Sequence, residues 1–282
     1  MVAIGKQFLF FLFILLALST GLEAATLKIA STLLPVSDMV REIAGDSTDV
    51  LTILPSGANP HTFELSPQMI KEIDGAAVIF RIGSGFDDWI GGISENLPAA
   101  KVVLLNENVQ LINGDPHYWL SVRNAKMMAE HIARVLSETD SSNQMKYQAN
   151  LRRYLSELDR ADQAIAAKLT PLIRKEIVTF HDGWRYFARD YDLTIVTTIE
   201  SPEGKEPTPR RLMELHKIIN QNDIGEIFIE PALPRSLVDF IAEDFDVDLV
   251  ELDPFGVKAE NQKFINLMLN NSDQIAKALG NV

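Results

Sequence analysis

Apolar positions along the chain fall into short runs separated by amphipathic stretches. Thr26–Ser31, Val50–Leu54, Ala76–Ile82 and Val102–Leu105 predict strands, being brief apolar runs bounded by Gly, Pro, Ser or Asn. Between them, Pro35–Gly45 predicts a helix stopped by its glycine. Ser66-Pro67 opens another, with Ser as N-cap and Pro in the first turn. Val122–Ser137 predicts a third, carrying Ala125, Met128, Ile132 and Val135 on one face. Strands alternating with helices imply βα units on a parallel sheet.

From Ser142 to Lys175 the strand signal disappears. Tyr147, Leu151, Tyr154, Leu155, Leu158, Ala161, Ile165, Leu169 and Leu172 recur at spacings of mostly three and four, the stripe of one long helix that Pro171 kinks or ends. The alternation then resumes. Glu176–Phe180, Leu193–Ile199, Glu226–Ile229 and Asp248–Leu252 predict strands; Trp184–Tyr191, Thr208–Gln221, Arg235–Phe245 and Ala259–Leu279 predict helices. The expected fold is α/β, with two lobes that each carry a parallel-type sheet flanked by helices and are joined by one long backbone helix. Residues 25–141 form the expected N-terminal lobe, 142–175 the linking helix and 176–282 the C-terminal lobe.

The first 24 residues read differently. Lys6, the apolar run Phe8–Leu18 and the small-residue stretch Ser19–Ala24 form the pattern of a cleaved secretory signal, too short to span a bilayer. The net charge of −13 argues against nucleic acid and anionic membrane surfaces and favours the approach of cations. There is no cysteine, so an exported chain of this sequence has neither disulfides nor an N-terminal lipid. A soluble, unanchored monomer in the periplasm is expected.

Three of the five histidines lie in short loops just past apolar runs: Asn59-Pro60-His61, Asp115-Pro116-His117 and Phe180-His181-Asp182-Gly183. A fourth such loop, Leu252-Asp253-Pro254-Phe255, offers a carboxylate. Ligands of open parallel sheets bind beyond the carboxyl ends of strands, so all four side chains point to the cleft between the lobes. A His3Asp shell suits a divalent transition metal, zinc first. His131 and His216 sit within helical runs and read as solvated or half-buried positions. Glu200, Glu203 and Glu206, in the loop after Ile199, read as solvated acids. Asp115, Asp182 or backbone carbonyls are expected to hold the second ring nitrogens of the metal-binding histidines. Gly83-Ser84-Gly85 is no phosphate loop, because Phe86-Asp87-Asp88 follows it where a Lys-Ser/Thr would be needed.

These residues carry a family resemblance. Pro55–Pro67 around His61, Asp115-Pro116-His117-Tyr118-Trp119-Leu120, Phe180–Ala188 around His181, Ile227-Phe228-Ile229-Glu230-Pro231 and Leu252-Asp253-Pro254-Phe255-Gly256 resemble, in order, motifs of the solute-binding components of bacterial zinc and manganese ABC importers (cluster A-I, or cluster 9). The resemblance implies metal held between two lobes by His61, His117, His181 and Asp253. It also implies delivery to an inner-membrane permease driven by a cytoplasmic ATPase, and limited lobe motion about a rigid helix. The chain departs from the family at Ser121-Val122, where an Asp-Pro is usual, which alters a helix start. It also lacks a His-rich loop in 105–114, a feature of many zinc-specific members. A histidine at 181 instead of a carboxylate favours Zn2+ over Mn2+. The rival readings are Mn2+, Fe2+ or a chelated metal on the same fold, a periplasmic metal chaperone, and a zinc hydrolase using Asp182 or Glu230 as base.

Overall fold

The computed structural model describes residues 26–45, 48–60, 63–92, 97–200, 208–231 and 233–280; the expected signal segment lies outside them. Strands β1 (Leu27–Ser31), β2 (Thr48–Thr52), β3 (Val78–Arg81) and β4 (Lys101–Leu104) form one sheet in the order β2-β1-β3-β4. Strands β5 (Glu176–Thr179), β6 (Thr194–Thr198), β7 (Glu226–Ile229) and β8 (Asp248–Glu251) form a second in the order β6-β5-β7-β8. Every pairing is parallel. The two sheets therefore share one winding, and in each the strand order reverses between the first and third strand. That reversal opens the crevice in which parallel sheets receive ligands.

Strands buried on both faces read as continuous apolar runs, and their alternation assigns each residue to a core. Ile29, Val78 and Phe80 of the first sheet, with Ile177 and Phe228 of the second, face one shared core. Their neighbours Ala30 and Ile79 face an outer cluster on the first lobe, and Val178, Ile227 and Ile229 an outer cluster on the second. The shared core runs without a break through both lobes and the helix between them.

Helices α1 (Leu34–Ala44), α2 (Pro67–Ile73) and α3 (Val122–Thr139) belong to the first lobe, and α4 (Gln144–Leu169) joins the lobes. The second lobe adds α5 (Arg185–Asp190), α6 (Pro209–Gln221), α7 (Arg235–Phe245) and α8 (Phe264–Leu279). The 26 residues of α4 make a rod of roughly 39 Å at 1.5 Å per residue. It buries Tyr147, Leu151, Tyr154, Leu158, Ala161, Ile165 and Leu169 against α1, α3 and α8. It stops at Leu169, six residues before the expected limit, because Pro171 has no N–H to extend it. The predicted Ser66 cap forms, accepting from the Met69 amide, and Thr208 accepts in the same way from the Arg211 amide, each before a proline. Ser121 likewise caps α3 by accepting from the Asn124 amide. Several other ends shift by a residue or two, and two of the differences have a structural cause. β2 begins two residues early, at Thr48, paired with Leu27. The predicted last helix divides into a 3-10 turn, Ala259–Asn261, and α8.

Among the described residues no helix is long and apolar enough to cross a membrane. Buried hydrogen bonds pin lobe to lobe. The Trp119 indole donates to the Pro254 carbonyl (3.0 Å), and the Tyr186 hydroxyl donates to the Asp115 carbonyl (2.7 Å) while accepting from the Ile112 amide (3.0 Å). Ser121 donates to the Asp190 carboxylate, and Asp38 accepts from the Phe264 amide (2.8 Å). The serine that replaces the usual Asp-Pro thus caps a helix and ties the lobes together.

Candidate metal centre

His117 stands at the end of the loop that follows β4, and His181 lies two residues past β5. Their Nε2 atoms face each other at 3.0 Å. The Nδ1 of His117 is 2.7 Å from Asp115 Oδ1, which also accepts from the His117 amide, and the Nδ1 of His181 is 2.7 Å from Glu200 Oε2. A carboxylate only accepts, so each Nδ1 carries its proton and a neutral ring presents a lone pair from Nε2. Two bare lone pairs at this separation repel, so either a shared proton or a metal ion lies between them. Two nitrogens on one zinc, at about 2.0–2.1 Å in a tetrahedral shell, stand roughly 3.3–3.4 Å apart, within a few tenths of an ångström of the spacing seen here.

The two imidazoles have opposite surroundings. His117 is 4 % exposed and packed by Trp119 and Phe86. Burial lowers its pKa against the pull of Asp115. Burial also disfavours charge on His181, but the Glu200 hydrogen bond and the charges of Glu230, Glu200 and Asp182 outweigh it, and its pKa is raised. Without metal, one proton carried by His181 and directed at His117 satisfies both rings. Gly183 lets the rings approach: a Cβ there would stand 3.1 Å from a His181 ring carbon and 3.2 Å from one of His117.

The remaining predicted ligands stand differently. His61 lies outside the described residues. Asp253 follows β8 and is buried, but its oxygens turn into its own loop. Oδ1 accepts from the amides of Phe255, Gly256 and Val257 (3.1, 2.9 and 3.1 Å), and Oδ2 from the Lys258 amide and the Asn261 side chain (3.1 and 2.9 Å). Gly256, at φ +73°, gives that turn its left-handed residue. Among the described residues no three His, Asp or Glu side chains already form a metal shell, and the His117–His181 pair is the nucleus the structure brings together.

The other acids divide sharply. Glu200, expected to be solvated, holds His181; β6 lies beside β5, so the residue past one strand reaches the residue past the other. Glu203 and Glu206 lie outside the described residues. Asp115 holds His117 as expected, whereas Asp182 pairs with Arg185. Glu230, the first residue past β7, has a buried Oε1 with no hydrogen-bond partner among the described residues. Burial pushes its pKa up to about 7, with His181 pulling down and Glu200 and Asp253 pushing up. The two helical histidines pair elsewhere: His131 with Glu107 (2.9 Å) and His216 with Asp244 (3.0 Å). His131 is more buried than its sequence suggests, at 7 % exposure. In the loop 83–86, the amides of Ile82 and Gly83 are taken by Asp87 (2.6 and 2.8 Å), which agrees with the rejection of a phosphate site.

Such a cleft floor is built to grip a cation, and the class it defines is a metal-binding substrate-binding protein of transport. Comparisons with known proteins give the family. The model described as "ZnuA: Zinc-uptake complex component A periplasmic" matches residues 29–278, and the chain belongs to that family, whose members are transport proteins and not enzymes. The manganese ABC transporter substrate-binding lipoprotein PsaA of Streptococcus mitis is 27 % identical over 304 residues, covering 98 % of both chains. The manganese-binding lipoprotein MntA of Halalkalibacterium halodurans is 27 % identical over 272 residues, covering 92 % of this chain and 91 % of its own. A crystal structure of ZnuA superposes with a TM-score of 0.83 at 28 % identity, covering 90 % of this chain and 99 % of that one. FpvC of Pseudomonas aeruginosa in complex with Mn2+ superposes with a TM-score of 0.80 at 27 % identity, covering 90 % and 99 %.

Proposed function

We propose that this chain is a periplasmic monomer that captures a divalent transition metal, Zn2+ foremost, in the cleft between its lobes and passes it to an ABC permease for import. The observation that carries this reading is the His117–His181 pair, with Nε2 atoms 3.0 Å apart and both outer nitrogens held by carboxylates. His61 is the third imidazole of the proposed shell. Neutral imidazole suits zinc, and a shell of three such donors leaves one further position to fill. The carboxylate the sequence points to, Asp253, orders the 254–261 loop in this structure.

Periplasmic residence rests on the N-terminal signal pattern. PsaA and MntA are named as lipoproteins, whereas this sequence has no cysteine to carry a lipid. A second cargo, Mn2+, has its own support. PsaA and MntA are named for manganese, and two carboxylates beyond the predicted ligands, Glu200 and Glu230, stand within electrostatic reach of His181.

The test is a competition titration of EDTA-stripped protein with Zn2+ and Mn2+ against a chromophoric chelator, with His181→Ala alongside. One tight zinc equivalent, weak competition by manganese and loss of binding in the variant are expected. Manganese binding as tight as zinc would reassign the cargo, and an unaffected variant would overturn the site.

A further inference from the structure

Helix α8 opens without a cap of its own. Lys263 holds the N-cap position in extended backbone, and its side chain makes no cap bond. The amide of Phe264, the first residue of α8, is taken instead by Asp38 Oδ2 at 2.8 Å, a carboxylate that comes from α1 in the first lobe. A negative charge there also faces the positive end of the helix dipole. Asp38 is buried. Burial pushes its carboxyl up to about 6; the Phe264 amide, Lys263 and Arg41 pull it down, and Glu42 adds to the rise. Holding the carboxylate out of water is costly, and the bond it makes in that place runs from lobe to lobe.

Two turns along the same face of α8, the buried Asn271 grips the main chain of Asp253 at both ends. Its Oδ1 accepts from the Asp253 amide (2.8 Å), and its Nδ2 donates to the Asp253 carbonyl (2.7 Å). Its neighbour Asn270 donates to Asn261 Oδ1 (2.7 Å), and Asn261 donates to Asp253 Oδ2 (2.9 Å). The loop after β8 is therefore fastened to α8. Two residues past Asp253, the Phe255 ring lies 6.0 Å from that of Trp119 and 6.4 Å from that of Phe86, the two rings packed on His117. A Cβ on Gly256 would stand 3.3 Å from the Leu34 side chain. The first lobe thus meets the loop at Leu34 and the helix behind it at Asp38, one turn further along α1. A rigid helix held at both places carries a displacement from one to the other.

We propose that Asp38 is a positioning residue for metal capture: acting through α8, it fixes from the first lobe where the loop after β8 sets Phe255 against the rings that pack His117. This rests on the reading of His117 as a metal ligand. Asp38 touches no metal; it sets the stiffness of the wall around one ligand, and hence how readily the cleft lets its cargo go.

The experiment compares Asp38→Ala, Asp38→Asn and the double variant Asp38→Ala/Lys263→Ser in the full mature chain. Serine at 263 gives α8 a local cap without restoring the bond between lobes. Two quantities are read: hydrogen exchange of the metal-free protein, and the rate at which zinc-loaded protein yields Zn2+ to excess EDTA. Asp38→Ala should speed exchange at Phe264 and also at the amides of residues 255–258, which bond to Asp253. Zinc release should rise about tenfold, the scale of one lost hydrogen bond to a charged group. Asp38→Asn, which keeps an oxygen at the Phe264 amide, should return both quantities to within about twofold of the parent. The double variant should keep the fast loop exchange and the fast release.

Parent behaviour in the double variant would reduce Asp38 to a helix cap and overturn the proposal. Faster exchange confined to Phe264, with zinc release unchanged, would overturn it as well. The double variant, with its own cap on α8, decides the matter even where Asp38→Ala alone does not fold. A parent that binds no zinc would defeat the function proposed above, whereas the exchange pattern would still decide whether α8 joins Asp38 to the loop.

Discussion

The two lobes wind their sheets in the same order yet present unlike surfaces to the proposed metal. The first lobe sets His117 in an aromatic box of Trp119 and Phe86, with Asp115 as its one carboxylate partner. The second sets His181 in a row of acids: Glu200 bonded to it, Glu230 and Asp182 acting through their charge. One side keeps its imidazole neutral by excluding water, and the other offers negative charge at the cost of a proton that the metal must displace. A site assembled this way separates positioning from attraction, and each can be disturbed without the other.

The largest disturbance is expected at the seam. Trp119 is fully buried and its indole donates across the lobes to Pro254. Trp119→Ala should cost about 3–5 kcal/mol of stability, read by denaturant unfolding of the metal-free protein. A loss below about 1 kcal/mol would mean that the aromatic box contributes little to the union of the lobes.

The carboxylate partners come next. Asp115→Asn and Glu200→Gln each remove a charged acceptor from a ring nitrogen and should weaken zinc by about 10- to 100-fold. They should differ in proton behaviour. His181, with its pKa raised, protonates above the usual histidine value near 6.5, so metal affinity begins to fall above that pH as the solution is acidified. Below that point the loss should be about tenfold per pH unit, as one proton competes for one lone pair. His117, with its pKa lowered, stays neutral there and adds a second proton only at more acid pH. Glu200→Gln should move the onset of the loss to lower pH, and Asp115→Asn should not. Identical pH profiles for the two variants would erase the contrast between the lobes.

The smallest expected effect is steric. Gly183→Ala puts a methyl group within 3.1–3.2 Å of both imidazoles. The rings must give by a few tenths of an ångström, and zinc affinity should drop by about tenfold with little change in melting temperature. An equal loss of stability would place the strain in the backbone and not in the pair.

Much of this arrangement is legible in the sequence, for local reasons. Ser66-Pro67 and Thr208-Pro209 announce helix starts because side chain and ring act within one turn. Doubly buried strands announce themselves because nearly every residue in them is apolar. β2 starts earlier than its apolar run because Thr48 and Asp49 are placed by pairing with Leu27 and Lys28, which leaves no apolar mark. The last helix breaks because Asn261 reaches back to Asp253, a bond that helical periodicity does not encode. His117 and His181 could be found from their loops. Glu200 could not, since its partner lies 19 residues away and only the adjacency of β5 and β6 joins them. The employment of Asp253 was equally hidden, because four of its five donors are backbone amides or become neighbours only once the turn has formed.

The apolar core that threads both sheets and α4 has a consequence for how the molecule comes apart. Two sheets with separate cores would melt as two units; here there is no seam at which one half loosens while the other holds. Heating should give a single calorimetric transition whose van't Hoff and calorimetric enthalpies agree. A chain cut in the turn between α3 and α4 would divide the residues of the shared core between two pieces, neither of which should fold alone. Cooperativity, in this molecule, belongs to the whole chain, and its linker is as much core as connection.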